Sequence, residues 1–230
     1  MERVKRYILF PLIFAMILMS AGCAATESTD SMTAYARALS DAVEQDRTAA
    51  IETAQAGGAE AVPGASDSAV YDEHGTLAVS LSGSSPESVR ETVSYARLMG
   101  HMESFCELAL TSSGKPGVAV LTKIPVSGAE KPMSGIVRAV FELPADEQNT
   151  GILYLADDTF HVANLTDGTL ISLKETQDSP GTLRAMIASL NSGRDIAARG
   201  SVSFVENGTT RTGTFYGLEG LNWVLVRCSR

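Results

Sequence analysis

Little in this chain is of the kind that chemistry usually needs. Histidine and cysteine occur three times each in 230 residues, as His74, His101 and His161 and as Cys23, Cys106 and Cys228. No histidine pair stands at metal-ligand spacing, so neither a metal site nor a cofactor is expected. His161 lies near Asp157 and Asp158, but the trio reads as a polar hairpin tip in water rather than a cation site. There is no G-x-S-x-G elbow and no Gly-rich phosphate loop, so no catalytic residue is expected and the chain is read as a non-enzyme. Basic runs are also missing, and the net charge is −9. Nucleic acid is excluded as a partner on that ground, because its binding depends on neutralising phosphates. Cys106 and Cys228 alternate with apolar residues in separate strands and read as buried free thiols, Cys106 on one face with Met102, Leu108 and Leu110. Tryptophan occurs once, at 223.

What is present is apolar. Hydrophobic residues make up 44% of the chain, enough for packed cores and too much for disorder. Arg3, Lys5 and Arg6 precede an apolar run from Tyr7 to Met19, too short to span a bilayer comfortably and ordered like a secretory signal. Ser20-Ala21-Gly22-Cys23 resembles a bacterial lipobox, with Ser20 where Leu is usual. That resemblance implies a signal peptide over 1–22, lipidation of Cys23, and a short linker over 23–30. The expected location is the cell envelope, extracytoplasmic and tied to the membrane by lipid.

Met32, Tyr35, Leu39, Val43 and Ala50 recur at helical spacing and predict a helix over 31–56. Gly, Ala and Pro over 57–68 read as a loop. A repeat follows. AVYDEHGTLAVSLS predicts a hairpin around Asp72-Glu73-His74-Gly75, and Ser85-Pro86 predicts a helix ending at Gly100. GILYLADDTFHVANL predicts a second hairpin around Asp157-Asp158-Thr159, and Ser179-Pro180 a second helix ending at Gly193. The paired helices share spacing: Val89-Arg90 and Val93 match Leu183-Arg184 and Ile187, the signature of a diverged duplication. Three strands follow each helix: 102–111, 116–124 and 135–143, then 200–206, 209–217 and 221–228, with Asn207-Gly208 as a tight turn. The expected class is α+β: a long helix and two lobes, 57–143 and 151–230, each an antiparallel sheet of ββαβββ order, joined by a polar linker over 144–150.

This layout resembles PAS-like extracellular sensor modules. Ile124-Pro125-Val126, then Gly135 to Leu143, is similar to the passage that ends the first lobe of double Cache domains. Gly213 to Leu218, then Leu221-Asn222-Trp223-Val224-Leu225-Val226, is similar to their closing strands, with Asn222 where Gly is frequent. The resemblance runs over 29–228. It implies a sensory domain that binds a small molecule in its first lobe, with Arg97, Tyr95, His101 and Lys123 as binding residues and Arg97 fitted to the carboxylate of an anionic metabolite. The amino-acid-binding subset carries an R-x-W-Y motif beyond this helix. Arg97-Leu98-Met99-Gly100 departs from it, which points away from amino acids. No apolar run after Cys23 is long enough to span a membrane, so the expected output passes through a membrane-receptor or envelope protein. Two other readings fit the sequence: an assembly lipoprotein whose lobes dock proteins, and a hydrolase with a spatially assembled site.

Overall fold

In the computed structural model, which describes residues 32–100, 102–126, 133–144, 159–165, 168–173, 185, 188, 199–206 and 208–228, residues 32–55 form one continuous helix, α1. Met32, Tyr35, Leu39, Val43 and Ala50 are all buried, as their spacing predicts, and Ala36 and Ala54 extend the stripe. The helix ends where the chain needs a left-handed residue. Gly57 has φ +96°, the Gly57 N–H donates to the Ala54 carbonyl at 3.0 Å, and the Gly58 N–H donates to the Thr53 carbonyl at 2.9 Å. These bonds satisfy carbonyls that the last turn would otherwise leave open.

The first sheet contains β1 (Asp67–Tyr71), β2 (Leu77–Ser82), β3 (Ser104–Leu110), β4 (Pro116–Ile124) and β5 (Gly135–Glu142), ordered β2-β1-β5-β4-β3 with every pairing antiparallel. The second contains β6 (Thr159–Asn164), β7 (Leu170–Ser172), β8 (Arg199–Glu206), β9 (Thr209–Leu218) and β10 (Trp223–Cys228), ordered β7-β6-β10-β9-β8. In both, the first strand lies between the second and the last. The class is α+β, with two antiparallel five-stranded sheets and one long helix.

Alternation assigns the faces. Cys106 and Leu108 of β3, Val118 and Val120 of β4, and Val137, Ala139 and Phe141 of β5 turn towards the core that α1 fills. Val162, Ile171, Tyr216, Trp223 and Leu225 of the second sheet enter the same core, so one helix seals both sheets. The opposite face of the first sheet packs under α2 (Val93–Gly100) through Leu98, Ala119, Leu121 and Val140. The opposite face of the second sheet packs Val202, Phe204, Phe215, Val224 and Val226, with Ala185 against them.

Several expectations need correction. The first lobe's helix does not open at Ser85-Pro86. It opens at Thr92, whose hydroxyl accepts the Tyr95 N–H at 3.1 Å, because 87–89 is held extended against 75–77. There the Leu77 N–H donates to the Glu87 carbonyl at 2.8 Å and the Val89 N–H to the Gly75 carbonyl at 2.9 Å. Thr159 belongs to no turn: it starts β6 and pairs with Cys228, while β6 turns back into β7. The alternation in β2 buries little, because β2 is an edge strand, and Val79 is exposed. Met102, ahead of β3, and Leu110, at its end, are exposed and do not join Cys106 in the core. Asp72-Glu73-His74-Gly75 is the expected turn, with the Asp72 carboxylate accepting the N–H groups of His74 and Thr76 at 2.9 Å each. The second helix's termini at Ser179 and Gly193, the linker over 144–150, Asp157 and Asp158 lie outside the described residues. Residues 185 and 188 are helical.

Candidate functional site

The residues named from the sequence fall in different places. Tyr95, on α2, is half-buried and packs on the α2 side of the first sheet, its hydroxyl donating to the Glu73 carbonyl at 3.3 Å. Lys123, half-buried on β4, alternates with Ala119 and Leu121 and so belongs to that same side. Arg97 is exposed in the last turn of α2, where a cation complements the helix dipole, and it opens onto a cleft between the two sheets. His101 and Cys23 lie outside the described residues. His161 is not at an exposed tip but fully buried within β6, opposite Val226 and Ser172.

The α2 side of the first sheet carries polar groups that sequence reading missed. The hydroxyl of Ser94, itself fully buried, donates to the Glu107 carboxylate. Tyr71 donates to the Pro86 carbonyl at 3.0 Å. Burial pushes the Tyr71 phenol above its ordinary value, while the charge of Arg138 and the Ser85 hydroxyl oppose the shift. Glu107 and Arg138 sit in strands whose pattern reads simply as core alternation. Only the sheet order brings β3, β5 and α2 together.

The cleft holding Arg97 has a volume of about 530 Å³. Arg47 of α1 forms another wall, its Nε donating to the Ser104 hydroxyl of β3 at 2.8 Å and its Nη1 to Glu44 at 3.2 Å. Phe105, Leu221 and Trp223 supply apolar surface. Cys106 also lines it, and burial pushes its thiol from 9.0 up to about 12, only partly offset by the charge of Arg47. At neutral pH it stays protonated and is no nucleophile. The 219–222 turn closes the cleft. On that turn's other side a second cleft, of about 570 Å³, runs along the start of α1 past Thr33 and Arg37, and Trp223 lines both. Trp223 is 4% exposed, with Leu225 beside it on the face towards α1. No cluster of three metal-ligating side chains occurs among the described residues, and no helix among them is long and apolar enough to cross a membrane.

No protein-family model and no curated protein matches the chain. Solved structures do. The extracellular domain of a histidine kinase candidate, rpHK1S-Z16, is similar with a TM-score of 0.59 at 14% identity, over 92% of this chain and 96% of that one. The ligand-binding domain of the Pseudomonas aeruginosa PAO1 amino acid chemoreceptor PctB, in complex with L-Arg, gives 0.56 at 13% identity, over 88% and 93%. An extracellular ligand binding receptor from Desulfohalobium retbaense gives 0.52 at 15% identity, over 87% of this chain but only 39% of that one. The fold is therefore that of extracellular sensor domains of the Cache type.

Proposed function

We propose that this protein is a lipid-anchored, extracytoplasmic sensor whose Cache-like lobes bind a small molecule and pass occupancy to a separate membrane-receptor or envelope protein. The supporting observation is the likeness in fold, over nearly the whole chain, to extracellular sensor domains. In this reading 1–22 is a signal peptide and Cys23 the lipidated first residue of the mature chain. The lobes run over 57–143 and 151–230, each of ββαβββ order, and meet at 144–150. The matched strand orders and the helical residues 185 and 188 support that repeat.

The ligand is an anionic metabolite. PctB was solved with an amino acid, but Arg97-Leu98-Met99-Gly100 departs from the R-x-W-Y motif that the resemblance associates with that class. Arg97, Tyr95, His101 and Lys123 are the binding residues proposed, with no catalytic role for any group. A thermal-shift screen of the purified protein against organic acids and amino acids tests the reading. Stabilisation by an acid and none by amino acids is expected, since a ligand that binds only the folded state raises its melting temperature. No shift with any compound counts against a sensor. Replacing Cys23 with Ser should leave the protein soluble or unprocessed, and unchanged membrane partitioning of that variant would remove the lipid anchor from the proposal.

A further inference from the structure

We propose that the anion is held in the cleft between the lobes, by Arg47 of α1 and Arg97 of α2, and that the ligand is a small organic carboxylate with an apolar body. This rests on the reading that the chain binds a small anionic molecule, and it assigns that molecule a place and a chemistry.

Charge is the first argument. Arg47 and Arg97 both line this cleft, and no acidic side chain among the described residues does so, in a chain whose net charge is −9. Two guanidinium groups facing one space repel each other, and a shared anion removes that repulsion. Glu44 neutralises part of Arg47 from the solvent side, whereas Arg97 has no hydrogen-bond or ion-pair partner among the described residues. Geometry is the second. The Arg47 Nε is fixed by Ser104 and its Nη1 by Glu44, so the planar fork is oriented before a ligand arrives and its remaining N–H groups are available for a carboxylate. Shape is the third. A volume of about 530 Å³ with Phe105, Leu221 and Trp223 as walls is the usual makeup of a small-molecule site, apolar surface with a few placed polar groups.

The walls come from α1, from the first sheet with α2, and from the turn ahead of β10. A molecule held there contacts all three and favours one spacing of the lobes over others. A site confined to the α2 side of the first sheet has no such reach.

Trp223 is the chain's single tryptophan, so indole emission from the full chain in detergent reports on this cleft and on the neighbouring one that Trp223 also lines, and the Arg47 and Arg97 variants tell the two apart. Succinate, citrate, benzoate and phenylacetate would be titrated, with neutral benzamide as control, while calorimetry records heat on the same samples. The expected result is a saturable emission change that tracks the heat for at least one carboxylate and not for benzamide. Affinity should fall tenfold or more in Arg97→Ala and in Arg47→Ala and stay unchanged in Arg90→Ala, which removes an exposed cation outside the cleft. Arg97 is exposed, so its variant tests the site even if loss of the Arg47 to Ser104 bond disturbs the fold. Heat without an emission change, lost in Lys123→Ala and kept in Arg97→Ala, would overturn the cleft while leaving an anion-binding lobe one. No heat from any carboxylate with a folded protein would overturn both.

Discussion

Asp46 and Asp67 put the same carboxyl group in opposite circumstances. Asp46 falls in the core-facing series of α1, between Val43 and Ala50, and burial pushes its pKa from 3.8 to about 6. The folded chain thus binds that proton more tightly than the unfolded one, and stability drops as pH rises from about 4 to about 6. Asp46→Asn should raise the melting temperature at pH 7 and flatten the profile across that window; an unchanged profile would place the carboxyl in water. Asp67 is buried too, but the burial that would raise its pKa is outweighed by hydrogen bonds from Ser112, Ser84 and Ser66, which hold it below 3.8. The backbone N–H groups of Ser84 and Ser112 each donate at 2.9 Å. Its contribution is complete above the ordinary carboxylate value and lost as pH falls through the depressed one. Asp67→Asn should therefore destabilise the protein at pH 7 and remove part of the acid-side loss, read from melting curves between pH 7 and 2. Trp223 is the other residue with a distinct expectation: buried against the α1 core, its change to Ala should cost about 3 to 5 kcal/mol in denaturant unfolding. A loss under about 1 kcal/mol would mean the ring adds little to that core.

At the scale of elements, α2 gives the sharpest test because its start differs from the one the sequence suggests. Thr92→Ala removes the cap and should cost about 1 kcal/mol, whereas Ser85→Ala should leave helix content unchanged by circular dichroism. The reverse pattern would put the helix start back at Ser85. Ser-Pro is a good local signal for a helix start, and here it loses to backbone pairing between 87–89 and 75–77, which no local pattern encodes. The same contrast runs through the chain. The stripe of α1 was legible because each of its residues answers to one periodicity, and β4 and β5 because both their faces are covered. β7 is too short to show a period, and Thr159, read with the turn, instead pairs with Cys228 far along the chain. Arg97 was legible as a cation at a helix end. Arg47 was not, since only packing carries a residue on the flank of α1 to the same cleft.

For the whole molecule, the consequence of one helix serving two sheets is shared stability. Leu39→Ala should cost about 2 to 5 kcal/mol and lower a single transition seen alike by Trp223 emission and by far-ultraviolet circular dichroism. Two separated transitions would show that the lobes melt independently. The sheet orders carry a further consequence, for the timing of assembly as the chain leaves the ribosome. β5 lies between β1 and β4, and β10 between β6 and β9, so each sheet stays in two pieces until its last strand has been made. The hairpin of β1 and β2 must wait for β5 across a long loop, and such distant closures are slow. The first sheet can nevertheless close while the second is still being synthesised. α1, made before either, is the element whose set of neighbours is completed last. Until β10 arrives, part of its apolar stripe has nothing to rest on, and the nascent chain needs shelter there from other nascent chains.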